Sequence, residues 1–124
     1  MIKLILHGCN GKMGQVVASA AAADDEIEIV AGVDRFPDSV VNSFPVYEKL
    51  SKVKENADVI LDFSVPNSLP MLLEYVDQTS IPLVIATTGF SPQDLEAIER
   101  QSQNTAVFRA ANMSVGINLM YELI

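Results

Sequence analysis

Gly8-Cys9-Asn10-Gly11-Lys12-Met13-Gly14 is the stretch whose reading decides the fold. Before it runs Ile2-Lys3-Leu4-Ile5-Leu6-His7, an apolar segment of strand length. After it comes Gln15-Val16-Val17-Ala18-Ser19-Ala20-Ala21-Ala22-Ala23, rich in helix-forming alanine. The glycines therefore occupy a strand-to-helix turn, which aims backbone N–H groups and the positive end of a helix dipole at an anion. Twenty residues past Gly14, at the end of the next apolar run, stands Asp34. An acid at that place can accept two hydrogen bonds from the ribose of a dinucleotide. The combination predicts a loop that grips the diphosphate of NAD(H) or NADP(H).

The rest of the chain agrees with that beginning. Strand-length apolar runs at Ile2–His7, Glu28–Val33, Val59–Phe63, Leu83–Thr87 and Ala106–Arg109, with a weaker one near Pro45–Tyr47, alternate with helical patterns. The helical segments fit Lys12–Ala23, Tyr47–Glu55, Asn67–Gln78 and Pro92–Gln101. Ser91-Pro92-Gln93-Asp94 has an N-cap, a proline at the first helical position and an acid in the first turn. Pro70 leaves the start of the third helix open. Nearly continuous apolar strands mean a sheet covered on both faces. The expected fold class is α/β, a doubly wound Rossmann-type parallel sheet with right-handed crossovers.

The bulk properties remove other classes. A net charge of −8 over 124 residues argues against nucleic acid as a partner. No apolar stretch approaches the length of a membrane span. A single cysteine cannot form an internal disulfide, and the first residues read as a strand rather than a signal peptide; both fit a cytoplasmic protein. No H-E-x-x-H, CxxC or other metal-ligand cluster occurs, so no metal is expected.

Several residues compete between functional and plain roles. Gly8 permits the tight turn, Gly11 lets backbone approach the pyrophosphate, and Gly14 lets the helix pack closely on the sheet. Asp34 alone favours NAD(H), whereas Arg35 adds a guanidinium able to hold a 2′-phosphate or stack on adenine. Asp62-Phe63-Ser64 and Ala86-Thr87-Thr88-Gly89 end two strands on the carboxyl edge, where ligands lie in open parallel sheets. The Thr87 and Thr88 hydroxyls can face a ligand, or the segment can be ordinary turn chemistry. Ala110-Ala111-Asn112-Met113-Ser114 closes the last strand on the same edge; Asn112 could read a carboxamide, and Ser114 could cap a helix. His7, the single histidine, has no evident partner and is expected to be structural. Cys9 lacks a general base and is expected to be a small loop residue facing the cofactor.

These motifs, together with Gly32-Val33-Asp34-Arg35 and Ala111-Asn112-Met113-Ser114-Val115-Gly116-Ile117-Asn118, resemble in order and approximate spacing those of bacterial 4-hydroxy-tetrahydrodipicolinate (dihydrodipicolinate) reductases. The resemblance implies a reductase of the diaminopimelate and lysine pathway using NADH or NADPH. It implies that Gly8 to Met13 (Gly8, Cys9, Asn10, Gly11, Lys12 and Met13) hold the pyrophosphate, and that Asp34 takes the ribose. It places Ala86, Thr87 and Thr88 at the nicotinamide half, with Thr88 near the substrate; Phe63, Ser64 and Gly89 are also expected to bind the cofactor. Ala110, Ala111, Asn112 and Met113 would line the nicotinamide. Lys12 stands where many members have arginine, and Met113 where some have phenylalanine. The family's H-H-x-x-K and S-G-T segments, which bear its catalytic and substrate-holding groups, have no counterpart here.

Residues 1–113 are thus expected to form the dinucleotide domain, and 114–124 to begin a helix leading to a catalytic domain outside this chain. No catalytic residue is assigned within it. The family implies a homo-oligomer for the full-length protein, and this stretch alone is expected to be monomeric and to meet substrate only with the missing domain. Two readings compete: the cofactor domain of another two-domain dehydrogenase, such as a homoserine or aspartate dehydrogenase, and a stand-alone NAD(H)-sensing module. The T-T-G and N-M-S-V-G-I-N segments weigh against the first, and a C-terminal helix ending mid-pattern against the second. A phosphoacceptor receiver domain needs paired acids after the first strand, where this chain has glycine.

Overall fold

The computed structural model describes residues 1–110 and 113–123. Six strands, β1 (Ile2–His7), β2 (Ile27–Val33), β3 (Val46–Tyr47), β4 (Val59–Asp62), β5 (Leu83–Ile85) and β6 (Val107–Arg109), form one parallel sheet in the order β3-β2-β1-β4-β5-β6. The helices are α1 (Lys12–Ala22), α2 (Leu69–Thr79), α3 (Pro92–Gln101) and α4 (Met113–Leu123). The strand order reverses at β1, so a crevice opens at the carboxyl ends of β1 and β4. This is the doubly wound Rossmann-type α/β arrangement that the alternation of patterns predicts.

Two core layers explain the continuous apolar strands. Successive strand residues point to opposite faces. Ile5 and Ile60 join Leu72, Val76 and Ile98 beneath α2 and α3, while Leu4, Leu6 and Leu61 join Val17 and Met120 beneath α1 and α4. With both faces covered, the middles of β1 and β4 are apolar on both sides, and their polar residues stand toward the ends.

Local chemistry sets the helix starts. In α3, Ser91 Oγ accepts from the Asp94 N–H at 3.1 Å and Asp94 Oδ2 accepts from the Ser91 N–H at 3.1 Å, a complete capping box. In α2, Pro70 sits in the first turn, where a missing N–H costs nothing, and a short 3₁₀ turn at Pro66–Ser68 precedes the helix.

The helix expected over Tyr47–Glu55 is absent. Tyr47 is extended in β3, its carbonyl accepting from the Asp34 N–H at 2.9 Å, and Lys49 is extended too, so no helix starts there. Only a 3₁₀ turn at Leu50–Lys52 forms, and Leu50 is buried in the core. Tyr47 Oη donates to Glu55 Oε1 at 2.9 Å, closing the segment back on itself.

The C-terminal helix belongs to this layer as well. Met120 is fully buried, and a Cβ added at Gly116 would stand 3.3 Å from Leu61 Cδ1. Residues expected to lead away from the domain thus complete its second face.

Gly14 is required by close approach, and the partner is the loop rather than the sheet. A Cβ there would run into the Gly8 carbonyl oxygen and stand 2.8 Å from Cys9 Cα. Gly14→Ala should therefore lower stability by about 1–3 kcal/mol through overpacking. Urea unfolding followed by circular dichroism checks this; an unchanged midpoint would show that α1 shifts without cost.

Candidate dinucleotide-binding site

The glycine loop is built by the end of β1. Gly8 has φ +82°, a conformation that side chains rarely adopt, and its N–H donates to the Val33 carbonyl at 2.7 Å. A Cβ at Gly8 would also stand 2.7 Å from the Phe63 carbonyl carbon. Gly11 is different. Its φ of −70° is ordinary, and the nearest atom to an added Cβ is the Gly8 oxygen at 3.5 Å. The fold itself has no need of glycine at 11.

A cavity of about 430 Å³ opens beside this loop at the crevice between β1 and β4. Its walls include Gly8, Gly11, Asp34, Arg35, Phe63 and Ser64, all expected from sequence. Several wall residues were not expected. Val65, Ser68 and Met71 come from the turn and helix that follow Ser64, and Phe36 from the loop after Arg35. Glu48 and Lys49 follow β3, in the segment read from sequence as a helix. Their signal was position alone: each lies just past the carboxyl end of a parallel strand. Phe36, Val65 and Met71 are exposed at 64%, 50% and 55%, so the mouth of the cavity is apolar.

Asp34 faces this cavity, but its carboxylate is already engaged. Oδ2 accepts from the Asn10 N–H at 3.0 Å, and Oδ1 accepts from the Phe36 N–H at 2.9 Å. Asn10 extends the brace: its Nδ2 donates to the Phe36 carbonyl at 2.8 Å, and its Oδ1 accepts from Asn42 Nδ2 at 2.8 Å. Asn10 is thus a tie between the glycine loop and the loop after β2, with its side chain spent on these bonds. Each Asp34 oxygen still has a lone pair for a ribose hydroxyl. Arg35 places its guanidinium carbon 5.5 Å from the Phe36 ring centroid.

Cys9 does not face the cavity. It is fully buried in the core layer under α1, and a Cβ at Gly32 would press on its sulfur at 2.6 Å. Burial, followed by the negative charge of Asp34, pushes the thiol up to about 12. A backbone hydrogen bond opposes these two effects without offsetting them, which keeps the thiol protonated at neutral pH.

The carboxyl ends of β4 and β5 carry a buried polar hub. Asp62 is 1% exposed. Its Oδ1 lies 2.8 Å from His7 Nδ1 and accepts from the Ser64 N–H at 3.0 Å; the Ser64 hydroxyl donates to the same oxygen. Its Oδ2 accepts from Thr87 Oγ1 at 2.9 Å. His7 therefore has the partner that spacing in sequence did not reveal, because β1 and β4 pair in register at His7 and Asp62. Burial pushes the Asp62 carboxyl up, but the hydrogen bond and charge of His7 and the bonds from Ser64 outweigh it, and the net shift is downward.

Thr87 spends its hydroxyl on this hub and is buried, so it is not offered to a ligand. Thr88 and Gly89 are exposed at the edge, and Gly89 has φ +86°, which fits a turn. Ala86 is half-buried and Ala110 buried at the ends of β5 and β6. Lys12 and Met13 are exposed in the first turn of α1 and do not line the cavity. Ala111 and Asn112 lie outside the described residues, and α4 begins at Met113. Among the described residues no three acidic, cysteine or histidine side chains group as a metal set, and no helix is long and apolar enough to cross a membrane.

Comparison with known proteins places this geometry in a family. Residues 2–113 match the family described as dihydrodipicolinate reductase, N-terminus. The 4-hydroxy-tetrahydrodipicolinate reductase of Caldanaerobacter subterraneus subsp. tengcongensis is 50% identical over 126 residues, covering 100% of this chain and 49% of that protein. Its counterpart in Clostridium tetani is 44% identical over 124 residues, covering 100% of this chain and 48% of the relative. The chain spans about half the length of the curated relatives it matches. Among solved structures, a dipicolinate-bound dihydrodipicolinate reductase from Paenisporosarcina sp. TG-14 has a TM-score of 0.75 at 26% identity, covering 90% of this chain and 48% of that one. The WlbA dehydrogenase from Bordetella pertussis, solved with NADH and UDP-GlcNAcA, shares the fold with a TM-score of 0.74 at 20% identity, over 88% of this chain and 34% of that one.

The hub has a consequence for acid stability. A carboxyl held below its unfolded value stabilises the fold fully above about pH 4, and that contribution is lost as pH falls through the lower folded value. Asp62→Ala should cost about 3–5 kcal/mol at neutral pH, since it strands His7 and the Thr87 hydroxyl. The loss should shrink in acid. Urea midpoints across pH for both proteins measure this, and a loss that is independent of pH would mean that the carboxylate charge is irrelevant.

Proposed function

The chain belongs to the N-terminal family of dihydrodipicolinate reductases, and on that footing we propose that it is the NADH- or NADPH-holding half of a reductase acting on 4-hydroxy-tetrahydrodipicolinate in diaminopimelate and lysine synthesis. The carrying observation is the cavity at the β1–β4 crevice, which brings Gly8 and Gly11 together with Asp34 and Arg35. Backbone N–H groups of the loop and the start of α1 receive the diphosphate. Asp34 and Arg35 receive the adenosine end, and the edge formed by Ala86, Thr88, Gly89, Ala110 and the following residues receives the nicotinamide. The bound cofactor supplies the hydride. The chain supplies grip and orientation, with Phe36, Val65 and Met71 shielding the adenosine end from water.

Reduction needs acid and substrate-holding groups that this sequence does not contain, His7 being its single histidine. The chain alone should bind dinucleotide without turnover. NADH at about a hundred times its Kd should stabilise the fold by roughly 2.7 kcal/mol. Thermal unfolding with and without NADH measures this; no stabilisation by either cofactor would sink the proposal, and reductase turnover by this chain would sink the division of labour.

Arg35 and Asp34 should separate in their effects. Asp34 braces two loops through backbone N–H groups, so Asp34→Ala should weaken NADH and NADPH alike, by roughly 1–3 kcal/mol. Arg35 is exposed, so its pairing with a 2′-phosphate is screened by salt. NADPH affinity should fall with ionic strength more steeply than NADH affinity, and Arg35→Ala should remove that difference. Calorimetric titration of both cofactors at low and high salt tests this. A difference that persists in Arg35→Ala would assign the phosphate to Lys49, which lines the same cavity.

A further inference from the structure

His7 is a buried ionisable side chain on the cavity wall to which the dinucleotide reading gives no task. Its ring is 11% exposed, with Nδ1 facing Asp62 Oδ1 at 2.8 Å. The other nitrogen, Nε2, makes no hydrogen bond to another of the described residues. No fully buried side-chain nitrogen among the described residues lacks a partner. Nε2 is therefore at the accessible edge of the ring, on the wall shared with Gly8 and Gly11.

The partner decides which nitrogen titrates. Asp62 accepts hydrogen bonds from Ser64 and Thr87 as well, and an ionised carboxylate can only accept. Nδ1 must then carry its hydrogen whether the ring is neutral or charged. Proton gain and loss fall on Nε2, the atom that reaches the cavity. A neutral ring offers a lone pair there, which repels a phosphate oxygen; a charged ring offers an N–H donor, which binds one.

We propose that His7 is a proton-linked contact for the dinucleotide diphosphate, taking up a proton at Nε2 as the cofactor settles on the glycine loop. The inference rests on the dinucleotide reading above. A ligand that favours the charged ring binds more tightly as pH falls through the histidine range. Other charged groups face this wall: Asp62 from β4, Asp34 and Arg35 after β2, and Glu48 and Lys49 after β3. Lys12 is exposed on α1, while α2 contributes Ser68 and Met71, which do not titrate. Carboxylates, lysine and arginine ordinarily titrate outside about pH 6 to 8.5, and the Cys9 thiol lies at about 12. Among side-chain types, imidazole is the one whose ordinary titration falls in that window.

The test is calorimetry of the chain with NADH, whose diphosphate stays ionised throughout, in buffers of different ionisation heat. Wild type should take up a fraction of a proton per NADH and bind on the order of tenfold more tightly near pH 6 than near pH 8.5. His7→Asn places an amide nitrogen where Nδ1 donates to Asp62 and removes the titrating atom. It should bind NADH with no proton uptake and a flat pH profile. Absence of uptake in wild type, or equal uptake in His7→Asn, would overturn the proposal. Should His7→Asn fail to fold, wild type suffices: with one histidine in 124 residues, a single imidazole signal reports the site by NMR. NADH should move its titration to higher pH, and an unmoved titration overturns the proposal equally. Failure of NADH to bind at any pH would instead strike the dinucleotide reading itself.

Discussion

The backbone of Gly8 is wedged between the ends of β2 and β4, and the whole carboxyl edge is arranged around that wedge. Its N–H is tied to the Val33 carbonyl, while Phe63 and Ser64 lie so close that no Cβ fits. A positive φ then throws the chain back over the sheet toward α1. Gly14 completes the turn by letting the helix rest on the Gly8 carbonyl and the Cys9 backbone. Had side chains occupied these two positions, the loop would stand off the sheet, and the crevice between β1 and β4 would lose its floor.

Two polar systems hold that edge, and they differ in depth. Beyond the ends of β1 and β2, Asp34, Asn10, Phe36 and Asn42 are linked by hydrogen bonds that are partly exposed and join two loops. Deeper in the edge, His7, Asp62, Ser64 and Thr87 form a buried hub joining the ends of β1, β4 and β5. Buried polar groups are costly unless satisfied, and among the described residues no fully buried side-chain nitrogen or oxygen lacks a partner. The result is a cavity walled by bonded polar groups and by Val33, Leu50 and Phe63, with Phe36, Val65 and Met71 exposed at its mouth. Preorganisation of this kind reduces the ordering cost of binding.

Periodicity made most of the fold legible. Continuous apolar runs could only be strands covered on both faces, and Ser91 through Asp94 announced α3 to the residue. The misreading at Tyr47–Glu55 came from a segment whose first residue is held extended in the sheet, a demand no local pattern records. The site was legible where a residue's role is backbone geometry, as at Gly8 and Gly14. It was less legible where the role belongs to a side chain with choices. Cys9 turned into the core rather than toward the cavity, and the Thr87 hydroxyl went to Asp62.

The sequence by itself determined the class of sheet, the strand-to-helix glycine loop and the family, because hydrophobic period and glycine spacing are local and survive without coordinates. Tertiary structure alone decided the partnerships. His7 and Asp62 stand 55 positions apart and meet only because β1 and β4 pair in register. Glu48 and Lys49 reach the cavity only because a two-residue edge strand, β3, brings them beside Asp34. Contacts across strands depend on which strands become neighbours, and in a parallel sheet that is settled by crossovers through whole helices rather than by any short stretch of residues.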